Sequence, residues 1–132
     1  MNVFLDSSFI VALSYKEDTN HLLAQKLLRK YQGSSYYIND LVKYESVNVA
    51  IRKGELKLAK YLNSWFSRPA FNTISLNQKI WESAFKNIIS RHTKSGPNIF
   101  DHIHFACMSE YCLTNVLTFD SHFSRFGFTV LQ

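Results

Sequence analysis

The apolar positions of the chain alternate between two periods. Residues 2–5 carry the run Val3-Phe4-Leu5, which fits a short buried strand. The run ends at Asp6-Ser7-Ser8, residue types that cap helix N-termini, and residues 9–13 read as the first helical turns. Asp18-Thr19-Asn20 is a second start signal. Leu22, Leu23, Leu27 and Leu28 then recur at helical spacing across 21–31, and Gly33-Ser34-Ser35 stops that helix.

The same alternation continues to the end of the chain. Residues 36–38 form a strand candidate, Asn39-Asp40 opens a helix to about Gly54, and 55–66 is helical until Arg68-Pro69 breaks it. Residues 71–74 are a third strand, 75–91 a long helix, and 92–98, with Gly96-Pro97, a loop. Residues 99–112 are expected to be helical, 115–118 a strand, 120–123 a turn or short helix, and 128–131 the last strand. Strands separated by helices predict an α/β sandwich on a mainly parallel sheet. With 132 residues and no repeat, linker or low-complexity tract, residues 1–132 are expected to be one domain.

Composition narrows the class. Apolar residues make up 46% and charged residues 19%, which supports a packed core and opposes disorder. The net charge of +5, from 15 basic and 10 acidic residues, suits a polyanionic partner, although an ordinary basic protein has the same balance. Cys107 and Cys112 lack metal-site spacing and are expected to be reduced core thiols. Asp6 interrupts the opening apolar stretch with no basic run before it, so no signal peptide is expected. No segment has the roughly 20 apolar residues of a membrane span, and a soluble cytoplasmic protein is the expectation.

With only ten acids, their placement carries information. Asp6 directly follows the first strand and Asp120 follows the 115–118 strand. If those strands are parallel, both acids project from one rim, where open α/β sheets bind ligands. Glu45 and Asp101 fall early in helices that start on that rim. Four gathered carboxylates repel one another, and divalent cations such as Mg²⁺ or Mn²⁺ remove that penalty. Two such ions about 4 Å apart activate water and stabilise the leaving oxygen of a phosphodiester. Ser7 or Ser8 could hold a ligand water or a phosphate.

Each acid also has a plainer reading. Asp6 and Asp120 could cap the helices they precede. Asp101 could favour the positive end of its own helix, and Glu45 could simply be solvated. Glu45, Asn48 and Arg52, spaced by three and four, share a helix face that could hold metal, water and phosphate or be a solvated stripe. Lys43 and Lys53 could steer phosphate, whereas Arg91, His92 and Lys94 read as a solvated loop group.

Taken together, these segments resemble the PIN-domain nucleases, most of all the small VapC-type toxins of toxin–antitoxin pairs. VFLDSSFIVAL is similar to the family's strand followed by Asp and a hydroxyl residue; Ser7 matches the hydroxyl position. YESVNVAIRKG resembles the segment with the family's Glu, FDHIHFACMSEY its third acidic motif, and VLTFDSHFSRFGFTVL its closing motif. The resemblance covers nearly the whole chain. It implies strand order 3-2-1-4-5 and a Mg²⁺ or Mn²⁺ site built from Asp6, Glu45, Asp101 and Asp120. It also implies endonucleolytic RNA hydrolysis by a metal-activated water, homodimerisation, and inhibition by an antitoxin. His104 stands where many members have an apolar residue and is expected to pack rather than ligate; His122 is expected to belong to the closing turn.

Other readings fare less well. A catalytically inactive PIN-like RNA- or protein-binding module would be free to lose its acids, and all four are present. An Asp-x-Asp phosphatase is disfavoured by Ser8, and a receiver by the poor fit of residues 36–40. No Walker A loop or Gly-rich dinucleotide loop occurs.

Overall fold

Val3, Phe4 and Leu5 are fully buried in β1 (Asn2–Leu5), the middle strand of a five-stranded sheet. An unbroken apolar triplet is what a strand covered on both faces requires. In the computed structural model, which describes residues 1–132, the strand order is β3-β2-β1-β4-β5 and every pairing is parallel. The other strands are β2 (Ser35–Asn39), β3 (Phe71–Ile74), β4 (Asn115–Leu117) and β5 (Thr129–Val130). Parallel neighbours need crossovers, and helices supply each one.

The helices are α1 (Ser7–Ser14), α2 (His21–Lys30), α3 (Asp40–Arg52), α4 (Leu56–Phe66), α5 (Gln78–Arg91), α6 (Ile99–Glu110) and α7 (His122–Arg125). The chain runs outward from β1 through β2 to β3, then returns beside β1 as β4. With right-handed crossovers, this reversal puts α1–α4 over one face of the sheet and α5–α7 over the other. The packing agrees: α1 meets α2 and α3, α3 meets α4, and α6 meets α5 and α7. The reversal between β1 and β4 opens a crevice at the carboxyl ends of those strands. Asp6 and Asp120 stand there.

Some boundaries differ from the sequence expectation. The helix expected over 75–91 begins at Gln78, because Asn77 caps it by accepting from the Ile80 N–H at 2.9 Å. The helix expected over 99–112 ends at Glu110. Cys112 is left-handed there (φ 52°), and the Leu113 N–H reaches back to the Met108 carbonyl at 2.8 Å. This is the closing bond of a Schellman turn, with cysteine at the position that usually takes glycine. Cys112 is consequently exposed rather than a core thiol, while Cys107 is buried and its thiol is pushed up to about 11 by burial. The last strand shrinks from 128–131 to two residues paired with Asn115 and Val116.

An aromatic cluster ties the α6 side together. Phe105 stacks on Phe126 at 4.7 Å, meets Phe123 edge-on at 5.1 Å and lies 5.5 Å from Phe128. These contacts join α6 to α7 and to the approach to β5, and so hold Asp101 and Asp120 in register. Arg91, expected in a solvated loop group, is docked instead with its guanidinium 4.2 Å from the Phe126 ring centre. No helix is long and apolar enough to cross a membrane.

Candidate active site

Asp6 leaves β1 and caps α1, so its backbone position is set by the strand and its carboxylate by the helix start. Its Oδ2 accepts from the Ser8 N–H at 3.2 Å, from the Ser8 hydroxyl, and from the Thr118 hydroxyl at 2.8 Å. Thr118 stands just past β4 and its Oγ1 also accepts from the Asp120 N–H at 3.0 Å. One threonine therefore locks the two strand-end acids together. The Ser8 oxygen is further used by the Phe119 N–H at 3.0 Å. Asp120 in turn accepts from the His122 N–H at 2.9 Å.

The two helix-borne acids are held just as closely. Asp101 and Asn98 form a reciprocal capping box, each side chain accepting from the other's N–H at 3.0 Å. Glu45 Oε2 accepts from His104 Nε2 at 2.8 Å. His104 is buried between Phe4 and Phe123, with ring centres 5.6 and 6.4 Å away. The expectation that it packs is met, but the ring also does polar work. Asn39 Oδ1 is taken by the Val42 N–H, so its Nδ2 donates to His104 Nδ1 at 3.0 Å. That contact keeps Nδ1 unprotonated and leaves the proton on Nε2, facing Glu45. Burial disfavours a second proton, but the Glu45 hydrogen bond and the fields of Glu45, Asp6 and Asp101 outweigh it and raise the pH at which the ring takes one.

The side chains fall into two adjoining groups. Ligand atoms of Asp6, Glu45 and His104 lie within 4.8 Å of one another, and so do those of Asp101, Asp120 and His122. Burial, reinforced by Asp120, raises the Asp101 pKa against the opposing Asn98 hydrogen bond. His122 opens α7, as expected of the closing turn, but its Nδ1 sits 3.4 Å from Asp101 and 3.2 Å from Asp120. That nitrogen is buried and aligned with neither carboxylate as a hydrogen bond. His102, one residue past Asp101, is buried among Phe105 and Phe126, and burial lowers its pKa.

Thus the structure brings Asp6 together with Glu45, and Asp101 together with Asp120. The plainer roles coexist with this: Asp6 and Asp101 are also caps. It does not bring Asn48 or Arg52 to the acids. Both are exposed; Asn48 lines a groove between α3 and α4 with Tyr44, Val47 and Phe66, and Arg52 joins no ion pair. Lys43 pairs with Asp40 at 3.3 Å. Ser8, not Ser7, bonds Asp6. Thr118, Asn39 and the polar role of His104 went unread in the sequence. The available signal was His104 itself, a polar residue in an otherwise apolar stretch, which must find a partner when buried.

The PIN domain family matches residues 3–129. The chain belongs to the PIN-domain family. No curated protein sequence matches it. Among solved structures, this PIN domain is similar to Mycobacterium tuberculosis VapC20, described as a Sarcin-Ricin loop cleaving toxin, at TM-score 0.87 and 23% identity over 96% of each chain. It is also similar to a toxin–antitoxin complex from Klebsiella pneumoniae (TM-score 0.71, 15% identity, 98% of this chain and 96% of that one). A third likeness is VapBC2 from Rickettsia felis bound to a DNA fragment from their promoter (0.67, 16%, 99% and 98%). The fold is therefore that of VapC structures, with the strand order that the resemblance implied.

The donor set of this PIN domain fits a divalent cation. Hard carboxylate oxygens dominate it, as Mg²⁺ and Mn²⁺ prefer. Asp101 is half-buried beside Asp120 with no lysine or arginine paired to either, so their charge calls for compensation. The unaligned His122 nitrogen between them points to the same unmet demand.

Proposed function

We propose that this PIN domain is a divalent-metal-dependent endoribonuclease of the VapC toxin type. The observation that carries the reading is the meeting of two acid–histidine groups at the sheet reversal beside β1 and β4. Likeness to a structure described as a Sarcin-Ricin loop cleaving toxin supports RNA as the substrate. Mg²⁺ or Mn²⁺, held by Asp6, Glu45, Asp101 and Asp120, would lower the pKa of a bound water and offset phosphodiester charge.

The chain's own residues prepare that chemistry. Ser8 and Thr118 saturate one oxygen of Asp6 and leave its other oxygen free to face the site. His104 holds Glu45 by one oxygen in the same way. The capping box fixes Asp101. Ligands positioned before the cation arrives need no reordering to bind it. His122 Nδ1 stands between Asp101 and Asp120, 3.4 and 3.2 Å from their carboxylates, and so lines the same pocket of charge. Purified protein incubated with RNA should cleave it in Mn²⁺ and stop when a chelator is added. Undiminished cleavage in chelator would exclude the metal mechanism.

We also propose a homodimer neutralised by an antitoxin. The complexes from Klebsiella pneumoniae and Rickettsia felis support the antitoxin partner. For self-association, α5 offers Trp81, Phe85 and Ile89 at i, i+4 and i+8, exposed by 46%, 49% and 72%. Antiparallel pairing of two α5 helices through this exposed face, centred at the level of residue 84, would bring Glu82 of each opposite Lys86 of the other, a self-complementary arrangement. Phe85→Glu should convert a dimer into a monomer in sedimentation velocity; a parent chain that sediments as a monomer at micromolar concentration would remove the proposal.

A further inference from the structure

Beside Asp6, on the far side of Ser8, lies a cavity of about 300 Å³. Ser7 and Ser8 of α1, Asn20 of the α1–α2 loop, Val49 of α3, Lys53 at the C-cap of α3, and Phe119 line it. Ser8 belongs to both places, since its hydroxyl also bonds Asp6. On α3, Glu45, Val49 and Lys53 follow at i, i+4 and i+8 and so form one row along the helix. The row starts in the carboxylate site and ends in the cavity, about 12 Å away at 1.5 Å per residue. The row at 45, 48 and 52 leads elsewhere: Asn48 opens onto the α3–α4 groove.

Lys53 is the only cation in this cavity. None of the five ion pairs of the structure includes it. Its ammonium lies 5.2 Å from the Tyr15 ring centre, which holds the chain without neutralising it. The one acid of the lining, Asp18, already accepts from the Asn20 N–H at 2.8 Å. Val49, Val11 and Phe119 give the cavity an apolar wall. The Ser8 hydroxyl is taken by Asp6 and the Phe119 N–H, but a single free cation, the Ser7 hydroxyl, an amide and an apolar wall next to a carboxylate cluster suit a nucleotide: phosphate on the ammonium, sugar and base against the wall.

We infer that this cavity is the subsite for a nucleotide flanking the scissile bond of single-stranded RNA, with Lys53 contacting its phosphate. The inference rests on the ribonuclease reading. It makes α3 a two-ended ruler, with Glu45 at the reacting phosphate and Lys53 at a neighbouring one. It also explains how a site rich in carboxylates attracts a polyanion.

Steady-state cleavage of a short single-stranded oligoribonucleotide in Mn²⁺ tests this with Lys53→Ala, Lys53→Arg and Lys94→Ala. Lys53→Ala should raise KM about tenfold with kcat nearly unchanged, the pattern of a lost uniform contact. It should also flatten the dependence of log KM on log salt by about 0.7, the loss of one single-strand phosphate contact. Lys53→Arg should restore most of the affinity, and Lys94→Ala, in the exposed loop before α6, should match the parent. Parental KM and salt slope in Lys53→Ala, with the parent cleaving normally, overturn the subsite and leave the nuclease reading standing. A folded parent that cleaves no RNA in Mn²⁺ overturns both.

Discussion

Asp101→Asn is expected to lower RNA hydrolysis by orders of magnitude while the protein stays folded, and Asp6→Asn should behave alike. The amide keeps the shape and an acceptor oxygen. At position 101 that oxygen can still accept from the Asn98 N–H, and at position 6 from Ser8 and Thr118, so caps and strand-end links survive. What disappears is the negative charge that a divalent cation requires. At position 101 the same change should also raise thermal stability slightly at neutral pH. Burial and Asp120 raise the Asp101 pKa, so in the folded state the ionised form is disfavoured. A raised carboxyl pKa costs stability as pH climbs above the unfolded value, and the amide removes that cost. Activity assays paired with melting curves decide it. Parental activity in both variants would remove these carboxylates from the site.

The second large effect concerns His104→Ala. The ring fills space between Phe4 and Phe123, holds Glu45 through Nε2 and receives Asn39 at Nδ1. Truncation leaves a cavity, a buried amide that has lost a partner and a carboxylate free to swing. Cavity formation and an unsatisfied polar group each cost about 1–3 kcal/mol, so a loss of about 2–5 kcal/mol is expected, read as a lower denaturation midpoint. Cleavage measured well below that midpoint should also fall, because Glu45 is no longer fixed. His104→Gln, which can donate to Glu45 from its terminal amide, should recover part of the activity. Unchanged stability and activity in His104→Ala would show that Glu45 is positioned by something else.

Much of this architecture is legible in the residues. The triplet Val3-Phe4-Leu5, its arrest at Asp6 and the repeat of that pattern before Asp120 come from burial and capping, which are local effects. Helix ends were less legible. Cys112 takes a left-handed conformation that usually signals glycine, so nothing in the sequence marks the stop at Glu110. The acids could be assembled because strand-end positions share a rim in a parallel sheet. Their supports could not. Thr118 to Asp6 and His104 to Glu45 join positions far apart in the chain, and only the packed fold decides which polar side chains meet. Helical spacing pointed from Glu45 to Asn48 and Arg52, whereas the fold opens Asn48 onto the α3–α4 groove and puts Val49 and Lys53 at the cavity beside Ser8.

Diffraction from crystals soaked in MnCl₂, with data collected at the manganese absorption edge, probes the metal site most directly. An anomalous peak is expected within coordination distance of Asp6 and of the Asp101–Asp120 pair, and it should vanish in Asp101→Asn crystals. A fully soaked crystal with no peak among these carboxylates, or with manganese bound only elsewhere, would contradict the account.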